Sequence, residues 1–212
     1  MKTFYILAFI SSASAILPIA TKVSFTRRPL CIYDSLIILS LASISTDIIS
    51  YEYHLITKNN WPFINLFLIL QILVLFSILF SFNKKIWALI FVFFFICFAG
   101  YNYYWEFNQK SLNAETNFVG SVFLIAFTFD CYNKIMKELP VKHLYDHPIF
   151  WISCGVLFYY TCVFFPYIFN NQFLELNLMD FQSQWTLHNI LNIVKNVCLA
   201  LAIWTNYRMR LL

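Results

Sequence analysis

Seven apolar stretches recur along this chain, each close to the length that crosses a bilayer and each ended by a short polar break. About 30 Å of hydrocarbon is crossed at 1.5 Å per residue, so a membrane helix needs about 20 mostly apolar residues. The stretches fall at 3–20, 33–52, 62–82, 86–104, 117–137, 148–169 and 184–205. They consume most of the 212 residues and leave only short loops and termini, too short for a catalytic or DNA-binding domain. Composition agrees: 61% of residues are hydrophobic and 11% charged, against about half and about a quarter in soluble domains. A soluble enzyme, a disordered chain and a disulfide-stapled scaffold are excluded. The expected fold is all-α, with residues 1–212 forming a single seven-transmembrane-helix bundle. The lipid bilayer is its first partner.

Orientation follows from the basic residues of short loops. Breaks one, three and five, with the C-terminal tail, carry Lys22, Arg27, Arg28, Lys84, Lys85, Lys134, Lys137, Lys142, Arg208 and Arg210. The other side carries Lys2, Lys58 and Lys110. An external N-terminus and a cytoplasmic C-terminus are expected. Trp61, Trp105 and Trp185 then fall at the outer interface, and Trp87, Trp151 and Trp204 at the inner one, where amphipathic rings prefer to sit. The first stretch resembles a signal peptide ending at Ser12-Ala13-Ser14-Ala15. Cleavage there would put the basic loops outside, so an uncleaved first helix is expected. The absence of N-x-S/T sequons, of a C-terminal prenylation box and of a retention tetrapeptide favours a bacterial inner membrane, and the richness in Phe, Ile, Asn and Lys over Arg suggests an AT-rich genome.

Ionisable groups inside a membrane are costly and mark candidate sites. Asp47, Asp130 and Lys195 are the three in this chain. On the seventh stretch His188, Asn189, Asn192, Lys195 and Asn196 fall within an arc of about 120° at 100° per residue. That face must look into the bundle, either as a hydrogen-bonded seam between helices or as the wall of a ligand cavity. On the second stretch Ser40, Ser43, Asp47, Ser50 and His54 share an arc of about 80°. The candidate ligand-binding set is therefore Asp47, His54, His188, Asn192, Lys195 and Asn196, with a Lys195–Asp47 pair within geometric reach. Asp130 is expected to pair with Lys134 one helical turn on. Gln71 is expected to be a helix-adhesion residue. His143 and His147 are expected in a solvated loop, held out of a helix by Pro148.

Enzyme readings find little support. The chain has three glycines, which leaves no phosphate-cradling loop. It contains no G-x-S-x-G and no H-E-x-x-H. The six cysteines include no C-x-x-C, so neither zinc nor redox chemistry is indicated. The basic residues are dispersed over loops and explained by topology, so no nucleic-acid partner is expected.

Seven helices, an external N-terminus and a lysine halfway along the last helix resemble the microbial rhodopsins, in which that lysine holds retinal. Only Lys195 matches. The third stretch offers Asn65 and Gln71 where that family has carboxylates, and Asn192 and Leu191 stand where its seventh-helix carboxylate would be. These departures argue against retinal on Lys195, and no cofactor is expected. The chain also resembles short bacterial seven-helix membrane proteins with no assigned activity. That likeness rests on Ser45-Thr46-Asp47-Ile48-Ile49, Asn59-Asn60 and Trp185-x-x-His188-x-x-x-Asn192-Ile193. It implies a sensory or accessory role with a membrane or cytoplasmic signalling partner. A sensing or binding module is the leading expectation. An ion- or proton-coupled transporter and a structural subunit of a membrane complex are the alternatives.

Overall fold

Long apolar runs with few glycines or internal prolines propagate as helices, because in lipid every backbone N–H and C=O must be satisfied within its own segment. The computed structural model bears this out. It describes residues 2–24, 34–57, 60–106, 113–138, 143–176 and 178–209, with side chains given for all of these except 2–5, 54, 55, 57, 106 and 164–184. The elements are α1 (Lys2–Ser14), α2 (Ile16–Val23), α3 (Ser35–Thr57), α4 (Trp61–Asn83), α5 (Ile86–Glu106), α6 (Ala114–Glu138), a 3-10 turn (Leu144–Asp146), α7 (Pro148–Leu176) and α8 (Leu178–Met209). No strand occurs among the described residues.

Among the described residues, six segments are long and apolar enough to cross a membrane: Ile6–Val23, Ser35–Tyr53, Trp61–Asn83, Ile86–Trp105, Ala114–Glu138 and Trp185–Met209. The apolar stretch with described side chains in α7, Pro148–Val163, is shorter, although the helix itself continues to Leu176. The chain is thus a multi-pass helical membrane protein. Large apolar side chains such as Ile48, Phe93, Phe94 and Phe158 stand exposed on its outside, as helices facing lipid require.

Three of the expected spans differ in form: α7 runs past 169 to Leu176 and α8 starts at Leu178 rather than 184, so the expected break between them is largely helical. The first stretch is two helices rather than one, broken at Ala15. Pro18 supplies the cause: its ring removes an N–H and crowds the carbonyl of Ser14, four residues earlier. Ala15 N–H turns instead to Ser12 O at 3.2 Å.

Packing offsets fix the order of the bundle. Gln71–Lys195 and Trp61–Trp185 are separated by the same 124 residues, so α4 and α8 run parallel. Ser11–Asn192 and Ser14–Asn196 make α1 parallel to α8. Phe76 meets Phe123 and Phe127, and Phe82 meets Lys134, so α4 and α6 are parallel too. Tyr159–His188 and Gly155–Cys198 make α7 antiparallel to α8. An aromatic core joins α4, α5 and α6, with Phe91 stacked on Phe123 at 3.8 Å between ring centroids.

Lys22, Lys85, Lys134 and Arg208 lie at one end of the bundle. Lys22 pairs with Asp34 at 2.8 Å and Lys85 with Asp130 at 2.8 Å, while Arg208 lies 3.8 Å from Asp146. Asp130 therefore does not pair with Lys134 as expected. It accepts from Asn83 Nδ2 at the end of α4 at 2.6 Å and from Lys85 Nζ in the turn before α5. Lys134 donates to Phe82 O at 2.7 Å. That tight turn puts Lys84 in left-handed backbone, and its N–H closes α4 on Phe80 O. His147 is buried rather than solvated, against the edge of the Phe82 ring, and its Nδ1 accepts from Ile149 N–H at 3.2 Å. Burial pushes its imidazole below the ordinary value of 6.5.

Two predictions follow from this packing. A Cβ at Gly155 would stand 2.9 Å from Cys198 Cβ, whereas Gly100 has open space around its Cα. Gly155→Ala is expected to destabilise by about 1–3 kcal/mol through overpacking, with Gly100→Ala neutral or better, as read by thermal melting in detergent. His147 binds its proton less readily folded than unfolded. Its contribution is full above the unfolded value and is lost as pH falls through the lower, folded one. Melting temperature should therefore drop on acidification below about pH 6.5, and His147→Gln should flatten that slope. An equal slope in the variant would refute the assignment.

Candidate functional site

Lys195 lies ten residues along α8 from Trp185, roughly 15 Å at 1.5 Å per residue, which is about half of the hydrocarbon thickness. Gln71 lies ten residues along α4 from Trp61, and the two tryptophans are 6.2 Å apart. The parallel register therefore carries the amide and the ammonium to one depth. Lys195 Nζ donates to Gln71 Oε1 at 2.8 Å, and Gln71 Nε2 donates to the Tyr160 hydroxyl of α7 at 2.8 Å. Lys195 Nζ also stands 4.3 Å from the centre of the Tyr159 ring. The side chains of Gln71, Tyr159, Tyr160 and Lys195 are all buried, none more than 3% exposed.

Gly155 makes this geometry reachable. It lies one turn before Tyr159, and its Cα position admits the Lys195 backbone so closely that a Cβ would meet Lys195 O at 3.4 Å. With α7 and α8 in such contact, the lysine side chain must run across the tyrosine face to reach α4.

The site continues toward the tryptophan end. The Tyr159 hydroxyl lies 3.4 Å from His188 Nδ1, and the Trp185 and His188 rings are 5.1 Å apart. His188 and Lys195 are two helical turns apart on one stripe of α8, and Tyr159 spans between them. An aromatic and polar ladder thus leads from Trp61 and Trp185 through His188 and Tyr159 to Lys195.

The polar face of α8 divides into two. Asn192 Nδ2 donates to Ser11 Oγ at 3.0 Å, and Asn196 Nδ2 to Ser14 Oγ at 2.8 Å, with Ser14 Oγ donating on to Ser11 O at 2.6 Å. These two asparagines form a seam with α1. His188 and Lys195 instead face α7 and α4. The seam reading of this helix holds for Asn192 and Asn196. Asp47 on α3 is exposed at its side chain, hydrogen-bonded to Ser12 and within electrostatic reach of Lys195. Four ion pairs occur among the described residues, all at the basic end, and none includes Lys195. Of the α3 stripe, Ser40 turns to Leu36 O and Ser50 is buried with its hydroxyl unpaired. The side chain of His54 lies outside the described residues.

The residues missed from sequence are Tyr159 and Tyr160, together with the role of Gln71. Gln71 carried a signal: it is a lone amide in the middle of the most apolar helix, at the depth of Lys195 counted from a tryptophan. The tyrosines carried none, because their relation to α8 depends on how α7 packs.

Energetics say why this cluster invites a function. A lysine at mid-membrane costs about 3 kcal/mol on insertion. One hydrogen bond to a charged group returns about 1.5–3 kcal/mol, and a desolvated cation–π contact about 2 kcal/mol. The balance lies near zero, so the ammonium is tolerated without contributing stability. Comparison with known protein families, curated proteins and solved structures yields no match.

Gln71→Leu removes the acceptor and should cost about 2–3 kcal/mol, the loss of a hydrogen bond to a buried charge. Lys195→Met should be close to neutral. In the double variant most of the Gln71→Leu loss should be recovered, as thermal melting of the four proteins would show. Additive losses would mean that the pair is not coupled.

Proposed function

We propose that this chain is an integral membrane sensing or binding module whose recognition site is built around Lys195. In this reading the N-terminus lies outside and the C-terminus in the cytoplasm of a bacterial inner membrane, as the distribution of basic loop residues favours. A small polar ligand arrives from the tryptophan end, passes His188 and is held at Lys195. The carrying observation is the buried ammonium itself: it sits at mid-depth among neutral groups of α4 and α7, while a polar ladder connects it to one end of the bundle. Helices α4, α7 and α8 meet at this point; α4 and α8 end, and α7 begins, among the basic residues at the opposite face. Displacing them is how occupancy would reach a signalling partner there.

Native mass spectrometry of protein gently extracted from its own membrane tests this. The expected result is a small bound mass that disappears in Lys195→Met while the variant still folds. A bare chain in both proteins, or a mass that persists in Lys195→Met, contradicts the reading. Ion- or proton-coupled transport is the second reading, favoured by the electrostatic reach between Asp47 and Lys195. Solute flux in proteoliposomes that is lost in both Asp47→Asn and Lys195→Met would support it over sensing.

A further inference from the structure

Hydrogen-bond stoichiometry around Lys195 is unbalanced in one direction. The ammonium has three N–H groups: one goes to Gln71 Oε1 and one side of the group faces the Tyr159 ring. The Tyr160 hydroxyl accepts from Gln71 Nε2, so its own proton must be donated elsewhere. Gln71 Nε2 has a second hydrogen. The remaining ammonium, hydroxyl and amide hydrogens make no further hydrogen bond to the described residues. The side chains that carry them are all at least nine-tenths buried. Buried donors without acceptors are costly, and a buried positive charge among them raises that cost. Among the described residues the carboxylate within electrostatic reach is Asp47, which is hydrogen-bonded to Ser12 on α1 and makes no ion pair with the lysine.

A cluster with a surplus of donors, a net positive centre and no bound carboxylate is complementary to an acceptor-only guest. We propose that the ligand of this site is a small monovalent anion, a halide or a short carboxylate, held by the Lys195 ammonium and the Tyr160 hydroxyl. This rests on the reading of Lys195 as a recognition site and names the chemistry that the site takes. Gln71 is the positioning residue. Its oxygen turns toward Lys195 and its nitrogen toward Tyr160, which fixes both donors and leaves the tyrosine proton directed away from the amide. The Tyr159 face limits the guest: the π-cloud that attracts the ammonium repels an anion. That confines the anion to the Gln71–Tyr160 side of the lysine.

The test is thermal melting of the purified full chain at constant ionic strength, with sulfate replaced stepwise by chloride in one series and by acetate in another. A ligand that binds the folded state raises the melting temperature progressively with its concentration. Wild type should respond to at least one of the two ions, and the series that responds distinguishes halide from carboxylate. Lys195→Met should lose the response. Tyr160→Phe, which keeps the ring and removes the donor, should weaken apparent affinity roughly tenfold or more, as expected for one hydrogen bond to a charge. Asp47→Asn should keep the response or strengthen it, since a competing negative charge is removed. Equal melting curves in sulfate, chloride and acetate for wild type overturn the inference, as does an unchanged response in Tyr160→Phe and Lys195→Met. If native mass spectrometry then finds a neutral molecule lost in Lys195→Met, the recognition site stands and its anionic ligand does not. If it finds no bound mass, both fall.

Discussion

A charged ammonium in the middle of an apolar slab is the constraint around which this bundle is arranged. Water would solvate it at almost no cost, but the membrane offers nothing in its place. The protein must therefore bring polar groups from other helices to one depth, and it does so with three: Gln71 from α4 and Tyr159 and Tyr160 from α7. Register between α4 and α8, contact between α7 and α8, and the glycine that permits that contact are all conditions for meeting this need. None of the partners is a carboxylate. A contact ion pair would have held the charge more tightly, and it would also have closed the site to any other anion.

The rest of the polar inventory divides by depth. At the basic end, charges find one another as ordinary ion pairs near water: Lys22 with Asp34, Lys85 with Asp130, and Arg208 near Asp146. At mid-depth, amides and hydroxyls join helices without charge, as in the Asn192–Ser11 and Asn196–Ser14 seam. Such contacts are worth about 0.6 kcal/mol each in membrane bundles. Adhesion of this kind needs no lysine. The seam residues are thus separate from Lys195 and His188 on the same helix.

Much of the architecture was legible in the chain, because membrane helices are set by local rules. Span positions follow from apolar length, and Pro62 and the Asn83-Lys84-Lys85 turn mark helix ends where they were expected. The break at Ala15 was less visible. It required weighing Pro18 against a helix that composition alone would continue. The site was legible only in part. Lys195 and His188 announced themselves as polar residues on one stripe, but their partners depend on packing between helices far apart in sequence. Asp47 was the natural partner by charge; Gln71 is the partner by register. Asn192 and Asn196 share an arc with Lys195, yet an arc of about 120° is wide enough to face two neighbours.

The most direct measurement is a solid-state nitrogen–carbon correlation of the isotopically labelled protein in lipid bilayers, read at the Lys195 side-chain nitrogen. A through-space correlation from Lys195 Nζ to the side-chain carbonyl carbon of Gln71, absent in Gln71→Leu, is expected. A correlation to the carboxylate carbon of Asp47 in its place would contradict the Lys195–Gln71 pairing. The lysine would then be half of an internal ion pair, and the central site would have no charge left to offer.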